Sequence, residues 1–201
     1  MTSKKVGIYA GTFDPIHEGH LAFAGSALTN HGLDKIFFLV EPRPRRKQGV
    51  RALEHREAMV RLATAENDRF GMIVLEQASF SVEDTLPKLR SLFEGAQLNM
   101  LMGEDVFAHL HSWPHVEELL KSVNFIVGIR AGDEAKMRSR LKTLEKTRGI
   151  EFETSFVVTD KQTVSSSQIR LSLKRGQTPQ GLPEGLLPYI RQHNLYSPNE
   201  E

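Results

Sequence analysis

A chain of 201 residues with 39% hydrophobic content can bury one substantial core, so a single domain is the default. Lys and Arg number 26 against 25 Asp and Glu, and the formal charge of +1 gives no global drive toward nucleic acid, a membrane surface or a strongly acidic partner. Cys is absent, which excludes disulfides and thiolate chemistry and fits a reducing compartment. The opening MTSKKVGIYAG holds too short an apolar stretch for a signal peptide, and no long apolar run could span a bilayer. The expected location is the cytoplasm.

In chain order, residues 5–10 (KVGIYA) read as a strand and 18–30 as a helix. A strand follows at 35–40 (KIFFLV), then a helix at 53–67, where Leu53, Met59, Leu62 and Ala63 form an apolar stripe. Strands at 71–76, 98–102, 124–129 and 155–159 alternate with helices at 82–93, 104–110, 115–121 and 133–147, the last a solvated surface helix. A serine run near 165 opens a late helix, the turn-rich stretch 176–185 joins it to a terminal one, and 197–201 reads as a frayed tail. The strands are almost continuously apolar, as strands covered on both faces are. Strand–helix alternation of this kind predicts an α/β, Rossmann-like, doubly wound and mainly parallel sheet. In such folds the ligand sits at the carboxyl ends of the strands, near a switch in strand order.

The stretch GTFDPIHEGH follows the first predicted strand and opens the first predicted helix. His17 and His20 stand behind Gly11, Asp14, Pro15 and Gly19, and three readings compete: a metal site, a cap plus a core-facing histidine, or a phosphate site. The metal reading is weakest, because no third ligand is close in sequence and i, i+4 is the commoner helical spacing for a His pair. For phosphate, Gly11 lets a ligand approach, and the amides of Gly11, Thr12 and Phe13 face it. The helix N-terminus adds free N–H groups and its dipole. At the other end of the chain, VSSSQIR sets Ser165, Ser166 and Ser167 at a helix start with Arg170 a turn further on. Alone this is an N-cap with a surface Arg; together with a phosphate loop it is a polyphosphate clamp.

GTFDPIHEGH resembles the HxGH signature of the nucleotidyltransferase superfamily and is most similar to its nicotinate-mononucleotide adenylyltransferase branch, with Ala10 where many relatives carry Gly. VSSSQIR is similar to that family's ISSTxIR motif, and LMGEDVFAHLHSW to its GxD segment followed by Trp. The resemblance covers residues 1–196 as one domain. It implies adenylyl transfer from ATP to nicotinate mononucleotide, giving deaminated NAD and pyrophosphate. His17, His20, Lys47 and Arg170 take the catalytic places. Gly11, Thr12, Phe13, Gly103, Asp105, Ser165, Ser166 and Ser167 meet ATP, with Asp105 on ribose hydroxyls. Trp113, Val82, Thr85 and Arg46 meet the acceptor, with Trp113 stacking on the pyridine ring. Mg²⁺ rides on phosphate oxygens, and no protein metal site is expected. The basic run RPRRKQGVR matches the family's PHKxx loop at Lys47, with Arg45 and Arg46 in place of the Pro-His pair. GLPEGLLPYIRQHNLY resembles the closing helix, with Pro188 as an irregularity.

One departure bears on the acceptor. In the family, the residue after the Trp gives a backbone N–H to the nicotinate carboxylate; here it is Pro114, which has none. Ser81 and Val82 replace a Tyr-Thr pair ahead of Asp84 and Thr85. The expectation is weaker discrimination against nicotinamide mononucleotide, with Val82, Ser81 or His115 as substitutes for the missing donor. His109, His111 and His115 match no zinc spacing and read as surface or pocket-wall residues. The partners are small molecules, a homo-oligomer is left open and nucleic acid is not expected. Two alternatives stand: a relative with another acceptor, such as nicotinamide mononucleotide, phosphopantetheine or a cytidylyl substrate, and a non-catalytic nucleotide- or RNA-binding protein using the 43–51 run.

Overall fold

The structure, a computed structural model, describes residues 3–44, 47–74, 80–129, 133–158 and 164–197. Six strands, β1 (Lys5–Gly11), β2 (Lys35–Val40), β3 (Phe70–Val74), β4 (Gln97–Gly103), β5 (Asn124–Ile129) and β6 (Thr154–Val158), form one sheet in the order β3-β2-β1-β4-β5-β6. Every pairing is parallel. The helices are α1 (Glu18–Asn30), α2 (Leu53–Thr64), α3 (Val82–Leu92), α4 (Glu104–Phe107), α5 (Val116–Leu120), α6 (Glu134–Arg148), α7 (Ser166–Lys174) and α8 (Leu186–Gln192), with a 3₁₀ turn at Leu110–Ser112.

Alternate side chains of each inner strand enter opposite cores, which is why the strands look continuously apolar in the sequence. Val6 and Ile8 of β1, Met100 and Met102 of β4, and Phe125 and Val127 of β5 pack with Leu86 and Leu89 of α3, Leu119 of α5 and Leu144 of α6. Tyr9, Leu101 and Ile126, from the same strands, pack on the other face with Phe23 and Ala27 of α1, Met59 of α2, Ile169 of α7 and Ile190 of α8. The two layers are held by one sheet, so the chain is a single doubly wound α/β domain.

Three predicted elements end differently. The helix expected over 104–110 stops at Phe107, and a 3₁₀ turn then leads to Trp113 and Pro114, since the residue before a proline is pushed to extended backbone. The helix expected over 53–67 ends at Thr64, whose buried hydroxyl bonds back to the Val60 carbonyl. In the closing segment the helix begins only at Leu186, so Pro188 lies in its first turn, where its missing N–H has no intrahelical partner to lose. Residues 75–76 and 159 of the predicted strands, and 198–201 of the expected tail, lie outside the described residues. Among the described residues, no helix is long and apolar enough to cross a membrane.

The strand order reverses between β1 and β4. From there α1 leaves β1 toward one face and α4 leaves β4 at the opposite side, so the carboxyl ends of these two strands part into a crevice.

Candidate active site

The crevice holds a cleft of about 410 Å³ lined by Ala10, Gly11 and Thr12 of the β1 exit, Glu41, Pro44 and Lys47 after β2, and Met102, Asp105, His109 and Trp113 from β4 onward. Trp113 stands on its wall with Phe80, their ring centroids 5.7 Å apart, and forms a broad apolar platform. Asp105 is exposed at the mouth, and its carbonyl receives a hydrogen bond from His109 Nδ1 at 2.8 Å. Gly103 ends β4 beside the cleft, and a Cβ there would meet nothing within 4 Å.

Next to the cleft the loop Thr12–His17 turns into α1. Phe13 has φ of 49°, in the left-handed region, and its buried ring folds back beneath Gly11. A Cβ on Gly11 would lie 2.7 Å from that ring, so the packing of Phe13 by itself calls for glycine at a position that also lines the cleft. The ring packs edge-on to Tyr9 and His20 at 5.3 and 5.1 Å, fixing the loop from below.

His17 and His20 come together as a stacked pair, centroids 3.6 Å apart. The His17 backbone N–H donates to His20 Nδ1 at 3.2 Å, so the neutral His20 ring carries its proton on Nε2. Both rings are kept neutral. Burial pushes His17 down to about 4, and burial first, then the charges of His17 and Lys47, hold His20 well below the ordinary histidine value. The pair therefore offers N–H donors without full charges. The helix amides contribute less than the sequence implies: Glu18 N–H donates to the Gly181 carbonyl at 2.9 Å and His20 N–H to the His17 carbonyl.

A group whose folded pKa lies below its unfolded value binds fewer protons folded than unfolded, so its stability contribution is present above the unfolded value and lost as pH falls toward the folded one. For His17 the window runs from 6.5 down to about 4. The wild type should accordingly lose up to ~3 kcal/mol across this window relative to His17→Asn, which has no such proton to take up. Urea denaturation of both proteins without ligand at pH 7, 5.5 and 4.5 measures it, and a constant difference across the series would contradict the burial.

The distant serine segment docks on this same loop. Ser166 Oγ donates to the Pro15 carbonyl at 2.9 Å, and Arg170 Nη1 to the Asp14 carbonyl at 2.7 Å. Ser165 caps α7 by accepting the Gln168 N–H, while Ser167 Oγ accepts from Arg170 Nη2 at 3.3 Å. Lys47 joins the group. Its side chain is exposed overall, yet desolvation of its ammonium holds its pKa below the usual lysine value, with Arg170 and Arg56 acting in the same direction and Glu41 and Asp14 against them. Among the described residues no three His, Cys, Asp or Glu gather to hold a metal ion.

Some residues expected at the site stand elsewhere. Val82 and Thr85 are buried at the start of α3, Val82 in the core and Thr85 with its hydroxyl accepting the Ser81 N–H at 3.1 Å; neither lines the cleft. Arg46 lies outside the described residues. Conversely, two supports went unread. Arg56 of α2 is only 1% exposed, and its guanidinium donates to the carbonyls of Arg51, Thr12, Glu41 and Pro42 at 2.7–3.0 Å, tying the β1 exit to the β2 exit. Tyr196 donates to Asp14 Oδ1 at 2.5 Å. Both reach partners far away in sequence, Arg56 at Thr12 and Tyr196 at Asp14.

Paired imidazoles between the first strand and helix of a doubly wound sheet, at the switch point, with a serine–arginine helix docked on their loop, define a nucleotidyltransferase of the HxGH class. The cytidylyltransferase-like family matches residues 8–172. A Solibacter usitatus protein named "probable nicotinate-nucleotide adenylyltransferase" is 35% identical over 199 residues, covering 96% of this chain and all of that one. A Neisseria gonorrhoeae protein of the same name is 37% identical over 201 residues, covering 96% and 98%. Among solved structures, nicotinic acid mononucleotide adenylyltransferase from Plasmodium falciparum, complexed with NaAD, superposes with a TM-score of 0.74 over 96% of this chain and 97% of that one; at 21% identity this speaks to the fold alone. The chain belongs to the nicotinate-nucleotide adenylyltransferase family.

Proposed function

We propose that this enzyme transfers the adenylyl group of ATP to nicotinate mononucleotide, releasing pyrophosphate and forming deaminated NAD. The observation that carries the reading is the convergence of the neutral His17–His20 pair, Lys47 and Arg170 beside a cleft walled by Trp113. An oxygen of the acceptor's phosphate attacks the α-phosphorus of ATP, a new P–O bond forms in line, and the α–β bridging oxygen leaves with its electron pair on pyrophosphate. The nucleophile is already an anion, so no covalent enzyme intermediate is needed. The protein positions the reactants and stabilises charge on the reacting phosphorus and leaving group. His20 Nε2–H and the His17 ring face the α- and β-phosphates. Arg170, with the first-turn amides of α7, holds β and γ, and Lys47 meets the γ-phosphate or the incoming phosphate. Ser165 and Ser166 support α7 and the loop through their hydroxyls, so phosphate contact from this segment comes from amides and Arg170. Asp105 takes ribose hydroxyls at the cleft mouth, and Trp113 covers the pyridine ring. Among the described residues no three carboxylates or histidines gather to hold a metal, so Mg²⁺ would enter on the nucleotide's own oxygens as part of the substrate, adding charge neutralisation there. The absence of cysteine, which fits a reducing compartment, supports a cytoplasmic location for this reaction.

Pyrophosphate release with ATP against a panel of phosphate acceptors tests this reading; release with nicotinate mononucleotide is expected, and none with any acceptor would overturn it. The panel also measures selectivity. Pro114 follows Trp113 and supplies no N–H, while Ser81 Oγ is engaged with Asp84 and His115 Nε2 faces Glu83 Oε2 at 3.6 Å. Of the substitutes expected for the donor, the Val82 amide in the first turn of α3 is the one that meets no such competitor among the described residues. A charge-assisted hydrogen bond is worth about 1.5–3 kcal/mol, so its loss weakens the preference for nicotinate over nicotinamide roughly ten- to a hundredfold. Pro114→Ala restores the N–H and should raise the ratio of the two kcat/KM values about tenfold. An unchanged ratio would place carboxylate recognition elsewhere.

A further inference from the structure

Asp14 is an odd residue to find in a loop that receives a polyphosphate. Its carboxylate is 4% exposed and stands among cations, its charge acting on Lys47 and Arg56 alike. The nearest guanidinium, Arg170, does not pair with it in the usual two-pronged way. Arg170 Nη1 instead donates to the main-chain carbonyl of Asp14 at 2.7 Å and stands 4.0 Å from Oδ2. The other carboxylate oxygen is held from behind, where Tyr196 Oη donates to Oδ1 at 2.5 Å. Tyr196 is fully buried, and the Arg51 guanidinium lies over its ring at 4.8 Å, so the phenol is clamped on its face as well as at its tip. Without that hydroxyl the carboxylate is free to turn toward the cations around it, and among the described residues Arg170, already 4.0 Å from Oδ2, is the one with which it forms an ion pair.

We propose that Tyr196 is a positioning residue for nucleotide binding, holding the Asp14 carboxylate turned away so that Arg170 keeps its charge and its free donors for the phosphates. The inference rests on the reading that Arg170 meets ATP. A carboxylate near a phosphate site is tolerated because it is oriented, and the orienting group comes from the opposite end of the chain. Tyr196 touches neither reactant; its effect passes wholly through Asp14.

Titration calorimetry with Mg²⁺-ATP, and quenching of Trp113 fluorescence by nicotinate mononucleotide, separate this from a packing role. Tyr196→Phe keeps the ring and removes one oxygen. It should raise the Kd for ATP about tenfold and leave acceptor binding within about twofold. Adding Asp14→Asn, which removes the charge that would capture Arg170, should bring the ATP Kd back to within about threefold of wild type, so the second substitution repairs the first. Should Tyr196→Phe not fold, Asp14→Glu gives the second test: its longer carboxylate reaches Arg170 with Tyr196 in place and weakens ATP binding at constant charge. Wild-type ATP affinity in Tyr196→Phe, a double variant no better than the single, or in the second test unchanged ATP affinity in Asp14→Glu, overturns the proposal. A wild type that binds no ATP is a different result: it overturns the ATP reading and this inference with it.

Discussion

Replacing His20 by Ala lowers turnover about 100- to 1,000-fold and leaves the protein folded. The magnitude is that of losing one preorganised donor aimed at charge developing in a transition state. The geometry makes His20 such a donor. Its Nδ1 is engaged by the His17 N–H, its ring is packed against Phe13 and Tyr9, and its remaining N–H cannot turn elsewhere. His17→Ala costs less, because His17 also serves as the N-cap position of α1 and its backbone contact to His20 survives the substitution. Steady-state kinetics with circular dichroism decides the matter: near-normal turnover in both variants would return the pair to a structural role.

Arg170→Ala raises the KM for ATP and the Kd for pyrophosphate about a hundredfold, with a smaller fall in kcat. Charge-assisted hydrogen bonds of about 1.5–3 kcal/mol each are lost at the leaving group, where they bind ground state and product as well as transition state. The side chain also bridges Asp14 and Ser167, two points on different segments, and only a planar fork can do this while facing a phosphate. Arg170→Lys therefore recovers part of the affinity and no more. Unchanged ATP affinity in Arg170→Ala would reduce the serine–arginine segment to a helix cap.

What was legible in the sequence was what repeats locally. β5 stands over 124–129 as expected, because a strand buried on both faces is almost continuously apolar, and α6 lies within one residue of the expected span because its stripe of Met137, Leu141 and Leu144 has a clear period. The loop after β1 was legible as a site for a different reason: glycines, a proline and paired histidines between the first strand and the first helix fall where a doubly wound sheet opens its crevice. The glycine at its head has a second reason to be there: the ring of Phe13 stands where a Cβ would go, a buried contact that no spacing rule reveals.

The supporting residues were not legible at all. Arg56 sits in an amphipathic stretch where an arginine reads as one more solvated charge, and its four partners are backbone carbonyls, which carry no sequence signature. Val82 and Thr85 differ in the opposite direction. Matched by position to a binding role, they bury their side chains in the core and the first turn of α3, which leaves a backbone amide and not a side chain to serve that role. Position in a motif fixes where a backbone goes more firmly than where a side chain points.

The bond between Tyr196 and Asp14 joins residues 182 positions apart, and Gly181 likewise reaches back to the first turn of α1. Contacts of such long separation slow folding, since the loop they close must be ordered before they form. Arg56 ties the start of the histidine loop to the neighbouring β2 exit, but Asp14 and Glu18 are held from across the whole fold, so the geometry of the loop is a property of the assembled sheet and not of the motif by itself.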